Sequence, residues 1–435
     1  MGNKSAIRMM ARSPRRHLLL SGGVLCFFTY IFLFSPNVPS PSYSLRPSTS
    51  LKPLDPLPPV DPWTAWPPNL SYAICRPKIY VYDLPEELKL SDEARNHPCF
   101  GSNYKSEILL WEKLTEKGGK FNELYVTNNP EEADFFYIPF MGACWLTANC
   151  WQLNGWDFSG RCDVDNKYVT PLFRHIIEHY PYWNRSGGAD HIMVHPMDHT
   201  FNYYDAKEIF QPAIFLTTVG DKRGDQLNSN RFTNNIVIPS ATGLLHRALV
   251  DPRRYLDKYG NPLAKKHRDI FALFRGCCST TKPTDPYSMG VRSLLFNGLN
   301  QIPGWDVSES SEDEEYIDLL SRSRYGITPA GWTLDTTRLW EYLAFGVVPV
   351  IIADGIIEPF ENDVDWHSFS VYVRREDAHL LDDILRAIPE EEYQRKRKRV
   401  WEEGARVGLE RDAWHFIARE LCRIKRIDRR EIIQP

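Results

Sequence analysis

The sequence predicts an α/β protein in which two Rossmann-like domains face each other behind an N-terminal membrane anchor and a stem. The clearest evidence is residues 324–353, which read as an apolar strand, a loop with Pro and Gly, a helix and an almost continuously apolar second strand. Near-continuous apolar strands are typical of a parallel sheet covered on both faces. Further strands alternate with helices in two successive series, which indicates two doubly wound domains.

The amino-terminal end predicts a membrane anchor. The first 16 residues contain five basic residues and no acidic one, and Leu18–Phe34 is a run of 17 residues without a charge. We expect a cytosolic tail at 1–16 and a transmembrane signal anchor at 17–34, with the rest of the chain in a lumen or outside the cell. A cleaved signal peptide is the alternative, but the run is longer than a usual signal core and no small-residue cleavage site follows.

A proline-rich stem is predicted at 35–76, because 35–70 contain 11 prolines and little periodicity. Beyond residue 34 the chain has nine more acidic than basic residues. This balance excludes a basic nucleic-acid-binding domain.

Eight of the nine cysteines lie beyond the anchor, and an even number in a secretory lumen favours disulfides. Cys144, Cys150 and Cys162 lie close together in sequence and are predicted to pair with one another or with Cys99. Their connectivity stays open. A zinc site is the alternative, but no Cys-x-x-Cys pair is present. The lumenal sequons predict N-glycosylation at Asn69 and Asn184.

The first predicted domain, residues 77–245, contains five apolar strands bounded by turn or proline signals. The first strand ends at Leu84-Pro85 and the third at Pro196, because proline lacks the N–H that a strand ladder needs. The first helix places Ile108, Leu109 and Leu114 on its inner face. The predicted strands are 78–83, 135–140, 190–195, 213–217 and 235–238, and the predicted helices are 105–116 and 170–179.

The second predicted domain, residues 246–435, repeats this alternation. The acidic run 308–315 is predicted to be a solvated approach to a helix rather than a metal site. The predicted strands are 269–274, 325–328, 347–353 and 369–373. The predicted helices are 288–297, 316–321, one that starts near 335–336 and stops at Gly346, 380–387, and a charged helix from 390 that reaches 399 or about 406.

The loop 328–337 is the predicted anion site. It joins the carboxyl end of a strand to the amino end of a helix, where unpaired N–H groups and the helix dipole attract anions. Gly331 lets the backbone approach a ligand. Thr336 and Thr337 offer hydroxyl caps that suit a bound anion better than the carboxylate of Asp335. The alternative is an ordinary capped helix.

Three charged residues near this loop are predicted donor contacts. Arg338 can neutralise a diphosphate, and Glu341, three residues on and on the same helix face, can accept two hydrogen bonds from a ribose diol. A helix-face ion pair is the alternative for these two. Arg275 ends an apolar strand where packing poorly explains a charge, so a ligand contact is favoured over a structural salt bridge.

The end of the strand 190–195 supplies candidates for a general base. Asp198 or His199 is predicted to deprotonate an acceptor hydroxyl, and His195 is a further alternative. A metal site from these three residues is disfavoured by their uneven spacing. The chain contains no G-x-G-x-x-G after a strand, no P-loop, no H-E-x-x-H and no G-x-S-x-G, so the common signatures of dinucleotide, NTPase, zincin and hydrolase sites are missing.

In combination, these motifs resemble the exostosin-like glycosyltransferases of family GT47. The most specific segments are KIYVYDL at 78–84, PEEADFFYIP at 130–139, YWNRSGGADH at 182–191, FRG at 274–276 and the block 324–373. Their order along residues 77–390 is the specific signal, and the segment YWNRS at 182–186 is similar to the plant branch.

The resemblance implies a GT-B architecture, a nucleotide-sugar bound by the second domain and inversion at the anomeric centre. It places Arg275 and Arg338 near the donor diphosphate and Glu341 on the ribose, with no required cofactor and no Asp-x-Asp metal site. The chain departs from the family pattern at Met197, where many plant members have a histidine before the acid that matches Asp198.

The sequence therefore predicts a single-pass type II Golgi glycosyltransferase with its catalytic part in the lumen. We expect a UDP-sugar donor, a cell-wall polysaccharide or glycoprotein glycan as acceptor, no nucleic-acid partner, and room for a complex with other Golgi glycosyltransferases. A non-catalytic partner subunit of such a complex is the first alternative, and a glycan-binding cell-surface protein is the second.

Overall fold

The computed structural model describes residues 76–89, 99, 103–151, 161–197, 204–222, 235–241, 268–277, 282, 284, 287–311, 313–402, 404, 407–408 and 413–431. The predicted tail and anchor, and the stem up to residue 75, lie outside these residues. Within them, no helix combines the length and the apolar character that crossing a bilayer requires.

The first half of the chain forms a five-stranded parallel sheet in the order β1-β2-β3-β4-β5. All five strands are short and lie where the sequence predicted strands. They are β1 Ile79–Val81, β2 Phe135–Tyr137, β3 His191–His195, β4 Ile214–Thr217 and β5 Ile236–Val237. The helices around them are α1 Ser106–Thr115, α2 Lys120–Tyr125, α3 Gly142–Leu146, α4 Thr170–His179, α5 Tyr182–Ser186 and α6 Lys207–Phe210.

The second half forms another five-stranded parallel sheet, in the order β10-β9-β8-β6-β7. Its strands are β6 Ile270–Arg275, β7 Trp305–Ser308, β8 Ser323–Pro329, β9 Val348–Ile352 and β10 Val371–Tyr372. Its helices are α7 Val291–Asn297, α8 Asp313–Arg322, α9 Arg338–Ala344, α10 Leu381–Arg386, α11 Glu390–Glu402 and α12 Ala413–Glu431. The α/β class with two parallel sheets is thus confirmed.

The sequence missed strand β7, helix α12 and the short helices α2, α3, α5 and α6, and it placed the start of α9 too early. Strand β7 is four residues long, with alternating burial rather than a continuous apolar run, so it gave no strong signal. Helix α12 was missed altogether. Helix α9 begins at Arg338, past the predicted start near 335–336, and has only seven residues.

Helix α12 packs against both halves of the chain. The Trp414 ring lies 6.3 Å from Tyr137 of the first sheet, and its indole N–H donates to the Leu110 carbonyl at 3.3 Å. Phe416 stacks on Phe360 of the second half at 5.0 Å between ring centroids. By sequence α12 belongs to the second predicted domain, but it contacts both halves of the chain. The domain limits 77–245 and 246–435 therefore stay predictions.

The carboxyl-edge loops of the two sheets meet in the middle of the molecule. Residues 220–222 follow β4, and residues 355–357 follow β9. The amide of Ile357 donates to the Gly220 carbonyl at 3.0 Å, and the amide of Lys222 donates to the Gly355 carbonyl at 2.7 Å. This pairing brings the two edges that carry the predicted site residues face to face.

Two disulfides confirm the predicted pairing of the clustered cysteines, Cys99–Cys144 and Cys150–Cys162. Cys277 and Cys422 are disulfide-bonded as well. Among the described residues, Cys99, Glu107 and Cys144 come close enough to suggest metal ligands. The two cysteines are bonded to each other, however, so neither offers the thiolate that a metal needs.

Candidate functional site

Two arginine side chains lie against one buried phenylalanine at the carboxyl edge of the second sheet. The Arg338 guanidinium carbon is 4.9 Å from the centroid of the Phe274 ring, and that of Arg292 is 5.6 Å from the same centroid. Neither arginine forms an ion pair with a carboxylate anywhere in the described part of the chain. Two like charges held together without a counter-ion mark a site for an anion of more than one negative charge.

Arg292, on α7, is buried, and its burial, together with the neighbouring charge of Arg338, lowers the pKa of its guanidinium to about 9. The group is therefore still positively charged at pH 7. Its Nη1 donates to the Cys277 carbonyl and to the Tyr287 hydroxyl, while its Nε has no hydrogen-bond partner. This arrangement holds a charge in place and leaves one donor unused.

Arg338 is the first residue of α9. Its Nε donates to the backbone carbonyl of Arg275 at 2.9 Å, and its buried Nη1 has no hydrogen-bond partner. Gly276 makes this position possible, because a Cβ there would lie 2.2 Å from Arg338 Nη2. The predicted donor residue is therefore fixed in place with a free donor nitrogen.

Arg275, by contrast, is occupied by protein groups. Its guanidinium forms an ion pair with Asp306 at 2.7 Å and donates to Ser311 Oγ at 3.2 Å. This is the structural salt bridge that the sequence left as the alternative. The backbone of Arg275 positions Arg338, and its own donor contact stays a prediction.

The loop 328–337 lies beside the two arginines but uses its groups internally. Gly331 donates its N–H to the Thr333 carbonyl at 2.9 Å, and its Cβ position is 3.3 Å from Arg292 Nη2. Thr336 and Thr337 lead directly into α9, yet no side-chain hydrogen bond caps that helix. Thr337, one of the predicted capping residues, is thus the N-cap of α9, but no hydroxyl makes a capping hydrogen bond there. The predicted donor contacts of Gly331, Thr336 and Thr337 stay predictions.

Glu341 lies one turn inside α9 and accepts a hydrogen bond from the Tyr316 hydroxyl at 2.8 Å. Burial and the nearby Glu341 charge raise the pKa of Tyr316 well above its usual value. Tyr316 thus stays a donor that orients the carboxylate.

The edge of the first sheet carries the predicted base region. His195 ends β3, is fully buried and packs near Phe140 and Tyr204. Burial lowers its pKa to about 3, so it is neutral at pH 7 and too weak a base to assist an acceptor hydroxyl. Asp198 and His199 follow β3 directly but lie outside the described residues, as does the sequon Asn69. Asn184 is exposed on α5.

The sequence comparisons identify the family. The Exostosin GT47 domain matches residues 75–388, which is most of the chain. The chain belongs to the exostosin GT47 family. It is 31% identical over 376 residues to "Probable glucuronosyltransferase Os01g0926700" of Oryza sativa subsp. japonica, covering 80% of this chain and 81% of the relative.

A second plant relative carries a different activity in its name. The chain is 30% identical over 336 residues to "Probable beta-1,4-xylosyltransferase IRX10L" of Arabidopsis thaliana, with 74% of each protein covered. Membership of the exostosin GT47 family and these relatives make the chain a glycosyltransferase. The two names differ in the sugar, so the relatives leave the donor open.

Solved structures give only a distant likeness. A glycosyltransferase from Rickettsia africae ESF-5 superposes with a TM-score of 0.36 at 9% identity, covering 81% of this chain and 98% of that one. Anabaena Alr3699/HepE in complex with UDP superposes with a TM-score of 0.34 at 9% identity, covering 82% and 99%. Both TM-scores are below 0.5, so neither supports a functional conclusion.

The exostosin GT47 match contains Arg292, a residue of the arginine pair that sequence reasoning missed. A usable signal was present, because Arg292 is the one charge within Val291–Phe296, a mainly apolar segment in the first predicted helix after the strand that ends at Arg275. A charge in an apolar helix is expected to be paired or to bind a ligand. Helix α12 lies beyond the matched residues.

Proposed function

We propose that this exostosin GT47 protein transfers a sugar from a UDP-sugar to a cell-wall polysaccharide or glycoprotein glycan, with inversion at the anomeric carbon, in a GT-B arrangement. The observation that carries the proposal is the pair of guanidinium groups, Arg292 and Arg338, held on Phe274 without a carboxylate partner in the described residues. A diphosphate supplies the two negative charges that this pair lacks.

On the donor side, the unpartnered nitrogens of Arg292 and Arg338 would bind diphosphate oxygens, and Glu341 would accept from the ribose hydroxyls. The negative charge on the departing UDP grows as the bond to the sugar breaks. Cations fixed before the reaction stabilise that charge without reorganisation, which is the larger part of their catalytic effect.

On the acceptor side, we assign the general base to Asp198, with His199 as the alternative. The acceptor hydroxyl gives its proton to this group and its oxygen attacks the anomeric carbon from the face opposite to UDP. The bond from that carbon to the diphosphate oxygen breaks, and UDP leaves with the electron pair. The neutral, buried His195 is not assigned a role in proton transfer.

The Golgi lumen is the proposed location. The disulfides Cys99–Cys144 and Cys150–Cys162 support an oxidising compartment, and the apolar run 18–34 supports a membrane anchor.

Calorimetry with the purified full chain tests the donor site. Wild type should bind UDP, and Arg292→Ala and Glu341→Ala should each weaken the binding at least tenfold. Failure of wild type to bind any nucleoside diphosphate would rule out the donor site and favour the non-catalytic partner subunit. If Asp198→Asn leaves sugar transfer unchanged, Asp198 is not the base.

A further inference from the structure

We propose that the transferred sugar lies between the loops that follow β8 and β9, and that Glu358 and Asp335 make this pocket select neutral sugars over uronic acids. The proposal rests on the nucleotide-sugar site proposed above and adds the donor class, which the names of the relatives leave open.

The two loops leave the second sheet side by side. Strands β8 and β9 are neighbours, with Pro329 opposite Ile352, and the Ala330 amide donates to the Ile352 carbonyl at 3.2 Å. The loop after β8 leads to Arg338, which holds the diphosphate in the proposed site. A sugar attached to that diphosphate therefore has the loop after β9 as its neighbour.

The first sheet closes the same space from the other side. Ser240, just past β5, donates a hydrogen bond to the Asp335 carboxylate. The Ile357 amide, next to Glu358, donates to the Gly220 carbonyl. Asp335 and Glu358 thus lie where the two halves meet, which is where a donor sugar must face its acceptor.

Glu358 has an unused acceptor in this region. Its side chain is only 4% exposed. Its Oε1 accepts from the Tyr372 hydroxyl at 3.1 Å, while its buried Oε2 has no hydrogen-bond partner. A buried oxygen without a partner is costly, and a sugar hydroxyl is the donor that would satisfy it. Rotation of a side chain in a binding pocket is a common response to a ligand and can present this oxygen to the sugar.

The charges around Glu358 disfavour a further negative group. The pKa of Glu358 is raised to about 8, mainly by burial and also by Asp335 and Glu361, against the opposing effects of the Tyr372 hydrogen bond and Lys222. Surroundings that resist ionisation of Glu358 also resist the carboxylate of a uronic acid. A neutral sugar meets no such penalty, because its hydroxyls can donate to the carboxyl and accept from it.

UDP-glucose and UDP-glucuronate are the matched probes, because they differ only at C6 and share one diphosphate. Calorimetry with the full chain should show glucuronate binding at least tenfold more weakly at pH 9. The discrimination should rise about threefold or more between pH 6.5 and pH 9, since Glu358 becomes a carboxylate as the pH passes its pKa. Any effect of pH on binding of the shared diphosphate is the same for both UDP-sugars, so it cancels in the ratio of their dissociation constants.

The Glu358→Gln variant should bind UDP as wild type does and lose the rise in discrimination with pH. Glu376→Gln removes the same charge from an exposed side chain and should keep that rise. Equal binding of the two UDP-sugars at pH 9, or an unchanged rise in Glu358→Gln, would overturn the proposal while UDP binding leaves the proposed function standing. If UDP itself does not bind, the donor site fails first and the sugar pocket fails with it.

Discussion

Both sheets are parallel and five-stranded, but they differ in strand order and in how charged side chains at their carboxyl edges are paired. At the described part of the carboxyl edge of the first sheet, His195 ends β3 and is buried and neutral. At the edge of the second sheet, Arg292 and Arg338 remain charged and have no carboxylate partner among the described residues.

This difference shows that charge without a carboxylate partner, rather than the parallel sheet itself, identifies the anion site. The topology offers a crevice at the carboxyl ends of both sheets. Among the described residues, the second sheet adds charge without a carboxylate partner at fixed positions, and that charge is what an anionic donor needs. Arg275 illustrates the distinction, because it ends a strand at the same edge and yet forms an ion pair with Asp306.

The largest expected effect is on the packing that keeps the two edges facing each other. Trp414 on α12 is fully buried between the halves. Trp414→Ala should lower the free energy of unfolding by about 3–5 kcal/mol, since it removes a large apolar side chain and leaves a cavity. Urea denaturation followed by circular dichroism measures the change.

Trp332→Ala is the matched control, because Trp332 is 47% exposed. Its effect on unfolding should stay within about 0.5 kcal/mol. Equal destabilisation by the two substitutions would mean that α12 does not join the halves in solution.

The next effect tests the charge at the second edge. Arg338→Ala should raise the dissociation constant of UDP about 10- to 150-fold, because hydrogen bonds to charged groups contribute about 1.5–3 kcal/mol. Calorimetry measures it. Arg386→Ala removes an arginine that is paired with Asp382 on the surface, and should leave UDP binding unchanged.

Calorimetry with UDP on the His195→Gln variant tests whether the carboxyl edge of the first sheet contributes to nucleotide binding. UDP affinity should stay within twofold of wild type, since the first edge carries no part of the proposed diphosphate site. A loss as large as that of Arg338→Ala would show that the nucleotide contacts both sheets.

A smaller effect is expected on the pH dependence of stability, through the buried carboxyl group of Glu107 in the first half of the chain. Burial raises the pKa of Glu107 to about 8, opposed by the amides of Ala143 and Cys144, which donate to its carboxyl oxygens. The folded chain therefore keeps a proton that the unfolded chain releases near pH 4.5, so this group makes stability fall as the pH rises from about 4.5 to 8. Glu107→Gln should flatten that part of the stability profile, measured by thermal unfolding at pH 5, 6.5 and 8.

Glu358→Gln provides the comparison in the second half, because burial raises the pKa of Glu358 to the same range. Both variants should flatten the profile, and only Glu358→Gln should change the choice between UDP-glucose and UDP-glucuronate. A profile with the wild-type slope in Glu107→Gln would mean that Glu107 is ionised in the folded chain.

The smallest effect is expected at Asn184. The side chain is exposed on α5, so Asn184→Gln should change the free energy of unfolding by less than about 0.5 kcal/mol. In a eukaryotic host it should also remove one glycan, seen as a step in electrophoretic mobility that glycosidase treatment of wild type reproduces. An unchanged mobility would show that this sequon is not used.

The sequence by itself determined the α/β class, the two series of parallel strands, the family and the position of Arg338. These follow from local signals: apolar runs that only a covered parallel sheet can bury, prolines and glycines that end elements, and motifs in a fixed order. Strand β7 and helix α12 escaped because their burial depends on partners far away in the chain, such as Leu110 for Trp414.

Only the tertiary structure decided which charged side chains are available to bind an anionic ligand. Arg275 and Arg338 look alike in the sequence, but Arg275 forms an ion pair with Asp306, whereas Arg338 lies on the ring of Phe274 and donates to the carbonyl of Arg275. Glu358 likewise stands out only when its burial and its unpartnered oxygen are known. The physical reason is that a charge is neutralised or left available by the groups that folding brings within about 4 Å of it, and those groups come from distant segments of the chain.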